Sequence, residues 1–359
     1  MAVPALALAL ALGIAALAQG VTPYKFKLGT DVTQQAAATE IKPAFRAVAG
    51  DLFRYEIYTN SRRSGQITEE GKPAGAFSRR ENWIVVADLR LEEDELDGRP
   101  DLRGALSFEQ MEFLVDDGHS RYAGYIGPEA GPRKSAFFEV LPGGERKEAN
   151  NIPGWPGMNA RTLNSNRETQ SRDGSASAWF SISEAGRVHD EAYFADFAAA
   201  DQRNYPGQLL DPVHLMLGLQ PEFPQDAKLK LGETVKVTRR FPMGVLAGAT
   251  VDYEVTYKLE KLYGNAAEPT AARFSFSAVP VARAQTVKQG ALQAEFEAPE
   301  IKDGELLLDL VKGVSADVRW KYVVPGVIAQ PGTTLRSTFE VEFDFRASLQ
   351  RASEDEKPQ

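Results

Sequence analysis

Imidazole is scarce in this chain: only His119, His189 and His214 could supply it. His119 ends the run Val115-Asp116-Asp117-Gly118-His119. Two carboxylates and an imidazole at that spacing could ligate a metal or pass a proton. Asp-Asp-Gly between two apolar runs is also an ordinary hairpin turn. The turn is the reading preferred, with Asp116, Asp117 and His119 kept as the weak metal candidates. His189 is flanked by Asp190 and Glu191, but consecutive side chains diverge in helix and strand alike. His214, beside Leu215 and Met216, reads as a packed histidine.

The densest acidic run, Glu92 to Asp97, could offer oxygen ligands to Ca²⁺. It lacks the alternating ligand pattern of a calcium loop and reads as a solvated turn. Gly65 to Lys72 imitates a phosphate loop with one residue too many. It also has Pro73 where Ser or Thr should hold Mg²⁺, so it is rejected. No G-x-S-x-G, H-E-x-x-H or S-x-x-K occurs, which removes the standard hydrolase signatures. With no cysteine, thiol catalysis, thiolate metal sites and disulfides are excluded. The sequence names no catalytic residue and implies no cofactor.

The most unusual segment is 127–173, rich in Pro and Gly and then in Asn. Long loops in compact domains carry function more often than the elements they join. Trp155 sits between Pro and Gly, with Asn151 before it and Asn164 after it. These three residues are the candidate ligand or partner contacts. Trp155 plugging a barrel end, or packing on a sheet, is the competing reading.

The elements that must position such residues are strands. Phe339, Val341, Phe343 and Phe345 fall on one face, with Glu340, Glu342, Asp344 and Arg346 on the other. Val251 to Leu259 alternates in the same way. This period of two belongs to a half-buried strand. Similar runs lie at 52–58, 83–91, 106–115, 176–182, 234–241, 273–279, 292–296 and 318–323. The predicted fold is all-β or β-rich α+β: an antiparallel sandwich or open half-barrels. Gly50-Asp51 and Gly232-Glu233 each lead into a strand, and Gly186 and Gly313 each follow one. The chain therefore reads either as two related halves or as ordinary repeated hairpins. A short helix is predicted near Asp31–Glu40, with Asp31 as its cap. A second is predicted after Asp211-Pro212.

Residues 5–18 carry no charge and end in Ala16-Leu17-Ala18. They predict a signal peptide over 1–18, although its n-region lacks Lys or Arg. An N-terminal segment (19–45) follows, then a first β domain (46–206), a linker helix (207–225), a second β domain (226–349) and a disordered tail (350–359). The run Lys228-Leu-Lys-Leu-Gly-Glu-Thr-Val-Lys-Val, the strand at 251–259 and Asp303-Gly-Glu-Leu-Leu-Leu-Asp-Leu-Val-Lys-Gly resemble a family of secreted bacterial β-domain proteins of no assigned function. The resemblance covers residues 205–346 and implies export and a β-rich fold.

A net charge of −9 argues against nucleic acid as a partner. The expectation is an exported, non-catalytic β-protein of the periplasm or cell envelope. It would bind a partner protein or an apolar, lipid-like ligand, with peripheral envelope association. The alternatives are an outer-membrane β-barrel and a carboxylate-based hydrolase of envelope polymers.

Overall fold

A computed structural model describes residues 22–93, 102–126, 136–149, 178–183, 185–188, 219–243, 250–289 and 291–352. The described elements are fifteen strands in one antiparallel sheet. They are β1 (Leu52–Glu69), β2 (Lys72–Glu93), β3 (Leu102–Asp116), β4 (Arg121–Ile126), β5 (Ala136–Val140), β6 (Arg146–Glu148), β7 (Ala178–Ile182) and β8 (Thr234–Pro242). Then follow β9 (Thr250–Gly264), β10 (Pro269–Pro280), β11 (Ala284–Gln289), β12 (Leu292–Glu297), β13 (Ile301–Asp309), β14 (Val314–Ala329) and β15 (Arg336–Leu349). Strand order is β6-β5-β4-β3-β2-β1-β15-β14-β13-β10-β9-β8, with β7 beside β3 and the β11–β12 hairpin beside β14. The sheet is all-β and not closed into a barrel, as the alternation predicts.

Period-two alternation decides which face is buried. On β15, Phe339, Val341, Phe343, Phe345, Ala347 and Leu349 point inward and are buried, while Glu340 and Glu342 are exposed. Ion pairs link neighbouring strands on the outer face, among them Lys236–Glu254 at 2.7 Å and Arg240–Asp252 at 3.0 Å. Pairs this exposed contribute little each. The sheet rolls about its inner face. Phe241 on β8 meets Trp320 on β14 with ring centroids 5.2 Å apart, although β9, β10 and β13 lie between them in the sheet. Phe223, from the segment before β8, packs on Tyr257 and Phe274 at 4.8 and 5.1 Å. The interior of this half is filled by its own aromatics.

The strands from the two sequence halves share the sheet. β1 and β15 run antiparallel from Tyr55↔Leu349 to Thr68↔Arg336. The two entry turns are built alike. Gly50 and Gly232 both have positive φ, 93° and 83°, which glycine adopts without strain. The Gly50 N–H donates to Leu91 O as the Gly232 N–H donates to Leu259 O. The Asp51 carboxylate accepts from Val48 N at 2.9 Å, and the Glu233 carboxylate accepts from Lys230 N at 2.8 Å.

Residues 22–47 form a strap across one end of the roll. Isolated bridges pair Tyr24 with Phe53, Phe26 with Arg351, Asp31 with Tyr263 and Ile41 with Leu229. Phe26, Ala36, Ile41 and Ala47 are buried beneath it. Gly186 and Gly313 both have positive φ, and a Cβ on either would strike the backbone or side chain of Ala44 or Phe45. Phe45 of the strap thus packs against both glycines. The Tyr24 hydroxyl donates to Asp309 at 2.6 Å, and Lys312 Nζ reaches both carboxylate oxygens of Asp51 at 2.7 and 2.8 Å. Burial raises the Asp309 carboxyl, and donation from Tyr24, Val311 and Lys312 only partly offsets this.

Two expectations need correction. No helix starts at Asp31: its carboxylate accepts from Thr33 N and Thr33 Oγ1, and residues 33–38 form turns. That is the bond a helix cap makes, but only a turn follows, with Ala36 N donating to Val32 O, because the Val32 and Ile41 N–H groups are taken by Leu262 O and Leu229 O. Part of the expected loop 127–173 is regular, because β5 and β6 form a hairpin around Pro142-Gly143-Gly144. There Leu141 N donates to Glu145 O, and Gly144 has φ 83°. Residues 1–18, most of the linker 207–225 and residues 353–359 lie outside the described residues.

Candidate functional site

Four neighbouring strands, β2, β1, β15 and β14, present their inner faces as a ladder of cross-strand rows. Nearest the strap the rows are apolar, for example Val85, Ile57, Ala347 and Val318. Next comes a row of Trp83, Thr59, Phe345 and Trp320. The row after it is Glu81, Ser61, Phe343 and Tyr322, and then Arg79, Arg63, Val341 and Val324. Beyond that lies Phe77, Gly65, Phe339 and Gly326, extended by Phe296 of β12.

This last row alternates ring and glycine for a steric reason. A Cβ on Gly65 would meet the Phe77 ring, and one on Gly326 would meet the ring of Phe339 and Phe296 Cβ. The rings therefore cover the glycines as an aromatic belt, a pairing known to stabilise glycine within sheets. A methyl group at 326 must displace Phe339 and the Glu295 backbone, so Gly326→Ala should cost about 1–3 kcal/mol. Thermal or denaturant unfolding would check this; an unchanged midpoint would show that the belt is not tightly packed.

Between the belt and the tryptophan row lies a polar band in an otherwise apolar interior. Arg79 Nε pairs with Glu81 Oε1 at 2.5 Å, and Glu81 is 3% exposed. Arg63 lies within electrostatic reach of Glu81, Arg79 and Tyr322, and burial lowers its pKa. Glu81 Oε2, Ser61 Oγ and Thr59 Oγ1 are buried and have no hydrogen-bond partner in the structure. A buried polar atom left unsatisfied costs about 1–3 kcal/mol, and native structures keep few of them. Aromatic clusters bound the band on both sides. Trp83–Phe113 and Phe113–Phe137 centroids are 4.7 and 5.3 Å apart, and Trp320–Tyr322 and Tyr322–Phe343 are 5.9 and 5.2 Å apart.

Chemically, the band offers carboxylate acceptance and two hydroxyls beside a buried ion pair. No hydrogen bond joins Ser61 to Glu81, so no nucleophile–base pair is formed there. Glu81 and Asp309 are the buried carboxylates among the described residues. Asp309 lies at the strap end, hydrogen-bonded to Tyr24, whereas Glu81 lies between the tryptophan row and the belt, so they do not share a site. By sequence, Arg62, Arg63, Arg79 and Arg80 read as a solvated strand face; the structure instead turns Arg63 and Arg79 to the inner face beside Glu81. The signal was present as Ser61, Arg63, Arg79 and Glu81 occupying inward positions of strands whose other inward residues are apolar.

The residues picked from sequence fare differently. Asn151, Trp155 and Asn164 lie outside the described residues. Asp116, Asp117 and His119 form the β3–β4 turn, with Gly118 at φ 83°. Asp116 accepts from Gly118 N at 2.9 Å, and Asp117 accepts from His119 N and Ser120 N at 3.0 and 2.7 Å. Burial raises the Asp117 carboxyl. Those two N–H groups, with His119 and Arg79, outweigh burial and hold it below the usual range. The carboxylates are thus engaged in shaping the turn. No group of three metal-ligating side chains is assembled among the described residues.

No protein-family model and no curated protein matches this chain. Among solved structures it is similar to lipovitellin, described for its lipid–protein interactions, at 11% identity and a TM-score of 0.35. That alignment covers 86% of this chain and 26% of that one. An outer membrane channel from Pseudomonas putida F1 aligns at 8% identity and a TM-score of 0.22, covering 85% of this chain and 97% of that one. Neither likeness is close enough to transfer a ligand or a role.

Proposed function

We propose that this chain is an exported, non-catalytic β-protein that binds an amphipathic, lipid-like ligand in the periplasm or cell envelope. The ligand's polar head meets the band of Thr59, Ser61 and Glu81, and its apolar part lies along the aromatic belt toward the open end. The observation that carries this reading is the set of buried, unpartnered polar atoms on an apolar inner face. A head group with hydroxyl or amide donors satisfies Glu81 Oε2 and both hydroxyls at once. The hydrocarbon chain adds about 0.8 kcal/mol per buried CH₂.

The outer-membrane barrel fits less well. Such barrels turn an apolar band to lipid and line their lumen with polar groups. Here β15 turns Glu340 and Glu342 outward and Phe339 to Phe345 inward. A carboxylate-based hydrolase would need two carboxyls flanking one bond, and the band holds one, Glu81.

The test uses the primary amide of dansyl-undecanoic acid, whose head donates hydrogen bonds and whose emission is excited through the nearby Trp83 and Trp320. Saturable uptake is expected. Ser61→Ala removes a hydroxyl that has no partner in the protein and adds no bulk. It should therefore leave the unfolding midpoint close to that of the parent while weakening uptake about tenfold, the weight of one hydrogen bond to the head. Absence of saturable transfer in the wild-type protein would overturn the reading.

A further inference from the structure

The end of the roll opposite the strap has a different character. Three hairpins that are neighbours in the sheet, β1–β2, β14–β15 and β11–β12, finish there together. The β1–β2 turn is the two-residue Glu70-Gly71, with positive φ at both positions, 51° and 75°. The inner apolar face continues past the aromatic belt into these tips and comes out of cover. Leu292 is 41% exposed and Leu335 39%, while Phe77, Ile67, Val287 and Ile328 are partly buried. Each tip also carries one exposed cation: Lys72, Lys288 and Arg336. Over residues 66–76, 286–293 and 328–337 the charges are those three cations against Glu69 and Glu70, a balance of +1 in a chain of −9.

We propose that this rim docks on the surface of an anionic lipid bilayer. Apolar side chains ringed by Lys and Arg are the composition that seats a protein at a membrane interface. A local positive balance on a strongly acidic chain also orients it, since the rest of the surface is repelled by the same lipids. Both faces of the rim strands are exposed at Lys72 to Ala76, so the tips can enter the head-group layer without uncovering the core. The inference does not depend on the ligand proposed above, although docking there would set the aromatic belt next to the bilayer.

The experiment is co-sedimentation of the full chain with vesicles of phosphatidylcholine alone and with about one-third phosphatidylglycerol. Wild-type protein should pellet with the anionic vesicles and be released by salt, because exposed charges are screened within about 10 Å at 0.1 M. The triple variant Lys72→Gln, Lys288→Gln, Arg336→Gln should bind them roughly a hundredfold more weakly. Leu292→Asp with Leu335→Asp should lose at least about tenfold. All five positions are exposed, and an unchanged melting midpoint will show that the fold is kept. Uptake of the dansyl amide, read on the same variants, is expected to stay at the wild-type level, which separates failure of docking from failure of ligand binding. The proposal is overturned if wild-type protein stays in the supernatant with anionic vesicles, or if both variants pellet as the wild type does.

Discussion

Raising the pH above about 10, the ordinary tyrosine pKa, should strip the fold of about 3 kcal/mol per further pH unit. Tyr55 and Tyr253 are both 0% exposed, and burial pushes both phenols far above their ordinary value. The native state therefore keeps protons that the unfolded chain releases. With fewer protons bound in the unfolded state, the slope of unfolding free energy against pH is negative. The stability is fully present below the unfolded-state pKa and is lost as pH rises above it, at about 1.4 kcal/mol per tyrosine per unit. Burial raises Tyr257 as well, against the lowering effect of Arg239, and this adds to the loss. Guanidinium unfolding at a series of pH values from about 9 upward would measure the slope. Tyr55→Phe is the decisive variant. Its hydroxyl has no hydrogen-bond partner, so the change should cost little at neutral pH and remove about 1.4 kcal/mol per unit of the alkaline loss. An unaltered slope would mean that Tyr55 ionises within the fold.

Trp320→Ala should cost about 3–5 kcal/mol. Its ring is 1% exposed and touches Phe241, Tyr322, Phe343 and Phe345 at 5.2, 5.9, 5.3 and 5.2 Å between centroids. Phe241 belongs to the far edge of the sheet path, so the indole packs one side of the roll on the other. The cavity lies where rigid strands cannot close in, which puts the loss at the high end of the range. Val323→Ala, on the same strand but 49% exposed, should stay within about 0.5 kcal/mol. Denaturant midpoints of the two variants test the contrast, and equal losses would count against a filled roll.

The strands are legible in the sequence wherever the inner face is apolar without interruption. Val251 to Leu259 and Phe339 to Phe345 alternate cleanly and lie in β9 and β15. The reading stopped at Tyr58, whereas β1 runs on to Glu69. From that point the inward residues are Ser61, Arg63, Gly65 and Ile67, so the apolar period fades although the strand does not. The candidate band lies in that gap. Polar residues in core positions break the rule used to find the strand, and they are the residues with chemistry to offer. Gly65 and Gly326 look like strand breaks, yet each sits mid-strand under a phenylalanine from the neighbouring strand, a relation set by register and invisible locally. The helix predicted at Asp31–Glu40 does not grow past a turn: Asp31 makes the cap bond, but the N–H groups of Val32 and Ile41 go to β9 and to Leu229.

The pairing of β1 with β15 bears on how this chain comes to be folded. The bond between Gln66 and Thr338 spans 272 positions. A contact so distant in sequence must await the last strand, and topologies dominated by such contacts fold slowly. Until β15 arrives, β1 offers an open edge with Phe53, Tyr55 and Ile57 beside it, a template for misassembly between chains. Truncating the chain before Arg336 should therefore yield aggregates and not a smaller soluble unit. Yield in the cell should follow the supply of holdase chaperones more closely than the stability of the finished fold.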